Sequence, residues 1–315
     1  MDESLSLDHV GLVARDVEAA SAAFERLGFN LTALSRHWGP VPARAGEHRW
    51  GTGNRCAMLA RGYLEIMGVV DPGLYTNRLE SVLQCREGCY VLAFRTGALE
   101  ECRTRLVAGG FSPDPEGALA RPLDDESAAR VAFRLVRLPA RDTPVGRVVF
   151  ISHETPELMW RDEHLLHPNG AIALTALYLC VDEVAETAAR YARLLGLPCP
   201  AIGGGTATLE FGIQRIEIMT PDAAASRFPG VDRSLAPYAL GFAVAVADLV
   251  ATGAFLDRNG VIGRKRVGKI IVSPSEAGGA VCEFVQAVLS RCEPAARDGA
   301  DARSDGAATT TRRNR

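Results

Sequence analysis

The feature that most constrains this chain is a phrase repeated four times along it: a strand, a helix, then further strands. Repetition on this scale marks one supersecondary unit copied in tandem, each copy unable to bury its apolar face alone. The first copy opens at residues 7–13 (LDHVGLV), which alternate as a strand does, and runs on into DVEAASAAFERLGF. There Val17, Ala20, Phe24 and Leu27 keep the 3.6-residue helical period, with Asp16 placed to begin the helix and Gly28 to end it. Strand-like runs at 30–34, 54–59 and 63–69 complete a βαβββ unit. The grammar returns at 89–95, 98–110, 129–138 and 147–152, then at 173–181, 183–196, 206–211 and 215–219. A fourth pass covers 238–246, 247–260, 269–272 and 280–288.

One helix covers one face of a four-stranded sheet and leaves the other concave, so such modules are expected to pair around a shared cavity. The expected fold is therefore α+β: four βαβββ modules paired into two half-barrel domains, 1–157 and 172–292, joined by a connector at 158–171. Residues 293–315 carry small and charged residues without periodicity and read as a disordered tail. Three modules close on a similar phrase, YLEIM (63–67), RIEIM (215–219) and VCEFV (281–285). A glutamate inside an apolar strand is costly unless paired or ligated, so Glu65, Glu217 and Glu283 ask for partners.

Composition narrows the function classes. Hydrophobic residues make up 47% of the 315, enough for buried cores, and the formal net charge is −3. No basic stripe with interleaved aromatics points to nucleic acid; Arg264–Lys265–Arg266 beside a glycine reads as a solvated hairpin. No apolar run approaches the ~20 residues of a membrane span. The acidic start reads as no signal peptide, so a cytoplasmic setting is expected. The eight cysteines show neither CxxC nor zinc spacing, no serine or cysteine nucleophile motif is visible, and Gly203–Gly205 precedes a strand, unlike a phosphate loop.

The stretches LDHVGLVARDVEAA, WGTGNR, GYLEIMGV and HETPELMWRDEHLLHPNGA resemble the glyoxalase-like branch of the vicinal-oxygen-chelate superfamily (glyoxalase, bleomycin resistance, dihydroxybiphenyl dioxygenase). The resemblance covers nearly all of the chain except the tail. It implies a divalent metal ion held in the cavity by side chains of the first and last strands of paired modules, on which a small oxygen-rich substrate chelates. Carried over, the first module supplies His9 and Glu65, while the second has Val91 and Val149 at the corresponding places. His153 lies near enough to complete a two-histidine, one-carboxylate set. Glu65 is then also the candidate catalytic group, in lyase or isomerase chemistry. The four-module layout is similar to that of extradiol dioxygenases, but those hold iron in the C-terminal half. Here all six histidines precede residue 168 and the C-terminal first strands carry Ala176 and Gly241, so chemistry is expected in the N-terminal pair.

Candidate substrate-binding residues are Asn54 and Arg55 at the cavity mouth, where an arginine could clamp a carboxylate, and Trp160, Arg161, His164, His167 and Asn169, if the connector acts as a lid. The plainer alternatives are a satisfied core histidine, a turn and a packed linker. A metal-free, drug-sequestering binding protein stays open beside the enzyme reading. Because such modules can swap between subunits, a homodimer is open too.

Overall fold

The computed structural model describes residues 5–123 and 129–288, so the expected tail, 293–315, lies outside the described residues. The first module comprises β1 (Ser6–Val13), α1 (Val17–Arg26), β2 (Ser35–Pro40), β3 (Glu47–Met58) and β4 (Tyr63–Val69), followed by α2 (Leu79–Cys85). The second comprises β5 (Gly88–Arg95), α3 (Leu99–Ala108), β6 (Gly117–Pro122), β7 (Arg130–Arg137) and β8 (Arg147–His153). A short turn of helix, α4 (Pro156–Met159), leads into the connector. The third is β9 (Ala171–Cys180), α5 (Val184–Leu195), β10 (Ile202–Gly203), β11 (Thr206–Phe211) and β12 (Gln214–Met219), followed by α6 (Pro221–Arg227). The fourth is β13 (Tyr238–Val246), α7 (Leu249–Arg258), β14 (Gly263–Arg266), β15 (Lys269–Val272) and β16 (Val281–Gln286).

The modules pair in sequence order. One 8-stranded sheet runs β2-β3-β4-β1-β5-β8-β7-β6 and the other β10-β11-β12-β9-β13-β16-β15-β14. In each, the two first strands meet antiparallel at the centre, and each is flanked by its own module's last strand in parallel. The expected α+β fold of paired βαβββ modules is thus observed.

The local sequence explains the elements. Asp16 caps α1 by accepting from the Ala19 amide at 2.9 Å, and Gly28 follows the helix at φ +87°, a conformation that only glycine adopts cheaply. The four module helices α1, α3, α5 and α7 lie on the convex faces, and one apolar core runs between the two sheets. Rings join across it: Phe24 with Phe242, Phe29 with Phe284 at 5.8 Å, and Phe94 with Phe211. The two concave faces therefore point away from that shared core.

Two expectations need correction. Residues 30–34 form no strand; the second strand is Ser35–Pro40, whose polar sequence SRHWGP hides it from a hydrophobic pattern. The 117–122 strand was also not anticipated; its residues are half-buried or exposed, so it too lacks an apolar signature.

Candidate functional site

Strand alternation decides what the N-terminal concavity contains. On β1, His9 and Gly11 face inward; on β4, Tyr63, Glu65 and Met67 do. Together with residues of the six other strands they enclose a cavity of about 200 Å³. Tryptophans 38 and 50 and aliphatic side chains form most of its wall, and His9, His37, Asn54 and Glu65 are its polar cluster. Gly11 is required at the seam. A Cβ there would stand 2.8 Å from the Val91 Cβ and 3.1 Å from Glu65 Oε2, so the missing side chain makes room for the carboxylate itself.

Glu65 is buried and has three polar neighbours. Asn54 Nδ2 donates to Oε1, His37 Nε2 lies 3.5 Å from Oε1, and His9 Nε2 lies 3.7 Å from Oε2. Burial pushes the Glu65 carboxyl up, but His37, His9 and Asn54 outweigh it and hold the group at about 2. It is therefore ionised at neutral pH.

Behind His9 stands Asp8, fully buried at an irregularity in the β1–β5 pairing. Burial opposes its charge, yet His153, His9 and Arg95 keep it far below the usual carboxylate range. As an ionised acceptor it must receive the protons of both rings: His9 Nδ1 donates at 2.8 Å and His153 Nε2 at 2.9 Å, while Arg95 Nε donates at 2.8 Å. That fixes the His9 proton on Nδ1 and aims Nε2 into the cavity. Tyr63 stacks on the same ring, its centroid 4.4 Å away.

The structure thus brings together His9, Glu65 and Asn54 of the candidates read from the sequence. It does not bring His153 to them: Nε2 bonds Asp8, Nδ1 has no partner among the described residues, and the ring, packed edge-on against Trp160 and Phe133, does not line the cavity. Arg55, next to Asn54 on β3, lies by alternation on the opposite face, where it donates to the Thr32 carbonyl and pairs with Glu25 of α1. Trp160 donates to the Leu59 carbonyl. His167 is a buried staple between the Asn30 amide and the Met58 carbonyl, and Asn169 ties the connector to Leu27 and Ala171. Arg161 and His164 contact each other and line a neighbouring cleft that shares Trp38, Asn54 and Arg121 with the main cavity. None of these five connector residues lines the main cavity.

His37 and Asp8 escaped the sequence reading. Asp8 carried a usable signal, since an acid beside a candidate imidazole is a natural tautomer-fixing partner. His37 carried none, sitting in a strand without apolar alternation.

Among the described residues, no three His, Cys, Asp or Glu side chains form a group that could hold a metal ion. The nearest approach is His9, Glu65 and His37, whose imidazole nitrogens address opposite oxygens of one carboxylate instead of a common point. Asn54 already occupies one of those oxygens. As placed, this donor set does not fit a divalent ion.

Paired βαβββ modules of this topology are those of the vicinal-oxygen-chelate class of fold. Within it, the chain belongs to the glyoxalase-like domain family, whose pattern matches residues 7–195, from β1 through α5. No curated protein matches the sequence. A hypothetical protein from Staphylococcus aureus superposes with a TM-score of 0.59 at 11% identity, over 90% of this chain and 100% of that one. A xylose isomerase-like TIM barrel/4-hydroxyphenylpyruvate dioxygenase fusion protein gives 0.57 at 13% identity, over 94% of this chain and 50% of its own. A mutant of 4-hydroxymandelate synthase from Streptomyces coelicolor gives 0.55 at 18% identity, over 90% and 93% of the two chains. At these identities the likeness is one of fold.

Proposed function

We propose that the N-terminal pair is an acid–base enzyme of lyase or isomerase type acting on a small oxygen-rich molecule, with His9 as the proton-transfer group. The observation that carries this is the line Asp8–His9–Glu65: an imidazole with one nitrogen locked by a buried acid and the other presented, beside an ionised carboxylate, to a largely apolar cavity. Glu65, held at about 2, is a weak proton acceptor at neutral pH. Its part is a fixed negative charge that supports a positive His9 ring as Nε2 takes a proton from substrate. Asn54 and His37 keep that carboxylate in place, and Asp8 keeps the ring oriented, as the third member of a catalytic triad does. The divalent metal expected from the resemblance would have to draw on His9, Glu65 and His37, since His153 does not line the cavity. The two imidazoles address opposite oxygens of that carboxylate, so the proton transfer falls to His9 itself.

A second reading, metal-free sequestration of a small molecule, is favoured by one observation: Val91 and Val149 stand on the cavity wall where a symmetric site would place a second histidine and glutamate. Deuterium exchange separates the two. The protein is incubated in D2O with a panel of 2-hydroxy and 2-oxo acids, and the C–H bonds beside the carbonyl are followed by NMR. Exchange by the wild type that is lost in His9→Ala and in Glu65→Gln supports the enzyme. Exchange indifferent to both substitutions, or none with any member of the panel, would sink it and leave sequestration.

A further inference from the structure

Two arginines on the cavity wall have no ion-pair partner among the described residues. Arg137, at the end of β7, and Arg147, at the start of β8, are both half-buried and both line the N-terminal cavity. Neither makes a hydrogen bond or ion pair from its guanidinium to any described residue; Arg147 only lies over the Tyr90 ring, 5.3 Å from its centroid. Elsewhere in this pair of modules inward or interfacial arginines are engaged, Arg95 with Asp8 and Arg86 with the Cys89 and Val145 carbonyls. Burial and the neighbouring Arg147 both depress the Arg137 guanidinium, and Asp114, the one acid that acts against them, is not in ion-pair contact. Bringing two like charges together in a half-buried place is unfavourable unless something else neutralises them.

The surroundings point the same way. The two side chains stand where the cavity meets a second cleft of about 990 Å³, with which it shares Trp50, Asn77, Arg137 and Arg147. The charged residues lining that cleft are Arg78, Arg86, Arg137 and Arg147 against Asp114 alone. By strand order β8 lies three places from β4, so Arg147 sits across the curved sheet from Glu65. A ligand held at the His9–Glu65 end by an oxygen can therefore span an apolar middle and reach the arginines with its far end.

We infer that the cavity takes a molecule with an apolar body and an oxyanion head, a carboxylate or phosphate monoester, and that Arg137 and Arg147 bind the head as a charge-assisted clamp. This rests on the reading of the cavity as the ligand site, but not on proton transfer, because it concerns equilibrium binding alone. Exchange at carbon can fail while the anion preference holds, and the reverse.

The test uses matched probe pairs, 3-phenylpropionate against 3-phenylpropionamide and phenyl phosphate against phenol, titrated into the full chain with tryptophan fluorescence as the signal, since Trp38 and Trp50 line the cavity. At least one anion is expected to bind about tenfold or more tightly than its neutral partner, with the preference falling as salt is raised. Which pair shows the larger ratio tells carboxylate from phosphate. Arg147→Met and Arg137→Met, chosen to keep the packing of the stem, should remove the preference while leaving circular dichroism unchanged; Arg147→Lys should retain part of it. Equal binding of charged and neutral partners, a preference that survives in the double Met variant, or no binding of any probe would each overturn the inference.

Discussion

The two halves of the molecule share one architecture and use the same strand position in opposite ways. In the N-terminal sheet His9 lies opposite Tyr63, so Glu65 is two residues along β4; in the C-terminal sheet Ala176 lies opposite Arg215, which makes Glu217 the counterpart of Glu65. By the same registers Val91 and Val149 correspond to Gly241 and Glu283. Glu65 faces imidazoles, an amide and open space. Glu217 is clamped by Arg215 and Arg227, and Glu283 by Tyr178, Lys269 and Arg227. The concavity above them is filled by α6 and by Phe228, whose ring packs 5.0 Å from that of Tyr178 within a closed apolar cluster. A glutamate thus stands at this place in three of the four modules, with Val149 there in the second. What fills the concavity decides whether that carboxylate is clamped by arginines or left facing a cavity.

The strongest way to break this comparison is to remove the shared clamp. Arg227→Ala strips a cation from both C-terminal glutamates, one of them completely buried, and should cost about 3 kcal/mol of stability. The denaturant midpoint measures it. A midpoint unmoved by this substitution would mean that the C-terminal carboxylates are not structural and that the contrast between the halves is mistaken.

A smaller effect sharpens the N-terminal side. The folded Glu65 group, at about 2, lies below its ordinary value, so the unfolded chain binds the proton more readily. The stabilisation from its charge is complete above roughly pH 4.5 and disappears as pH falls toward 2, up to about 3 kcal/mol in all. Asp8 adds to the same acid limb, its carboxyl also being held well below the usual carboxylate range by His153, His9 and Arg95 against its burial. Stability measured against pH should therefore fall in acid, and Glu65→Gln should flatten that fall. An unchanged slope in the variant would show that His9, His37 and Asn54 do not hold the carboxylate as described.

How far the sequence revealed these differences follows from what each residue touches. The modules were legible because strand and helix periods are set by burial, and β4 spans the residues its pattern indicated. His9 and Glu65 were legible because a polar group inside an apolar strand demands a reason. The partners that give them meaning were not. His37 comes from a polar strand, and Arg137 and Arg147 from strands whose apolar residues drew the eye to the core. His153 has the inward parity but meets Asp8 instead of Glu65, and no periodicity shows which of two carboxylates a ring will meet.

Arg55 supplies the smallest effect and the most specific check on which face of β3 is which. The sequence WGTGNR invites both Asn54 and Arg55 into one polar mouth, yet consecutive residues on a strand cannot share a face. Asn54 reaches Glu65, while Arg55 is turned to the helical side, paired with a half-exposed Glu25 at 2.9 Å. The pair is half-exposed and Arg55 also donates to the Thr32 carbonyl, so Arg55→Ala should cost about 1 kcal/mol and leave the probe affinities untouched. Arg147→Met should behave in the opposite manner, with anion preference lost and stability nearly kept. If Arg55→Ala instead weakened anion binding as Arg147→Met does, the clamp would belong to the first module and the inward face of β3 would have to be reassigned.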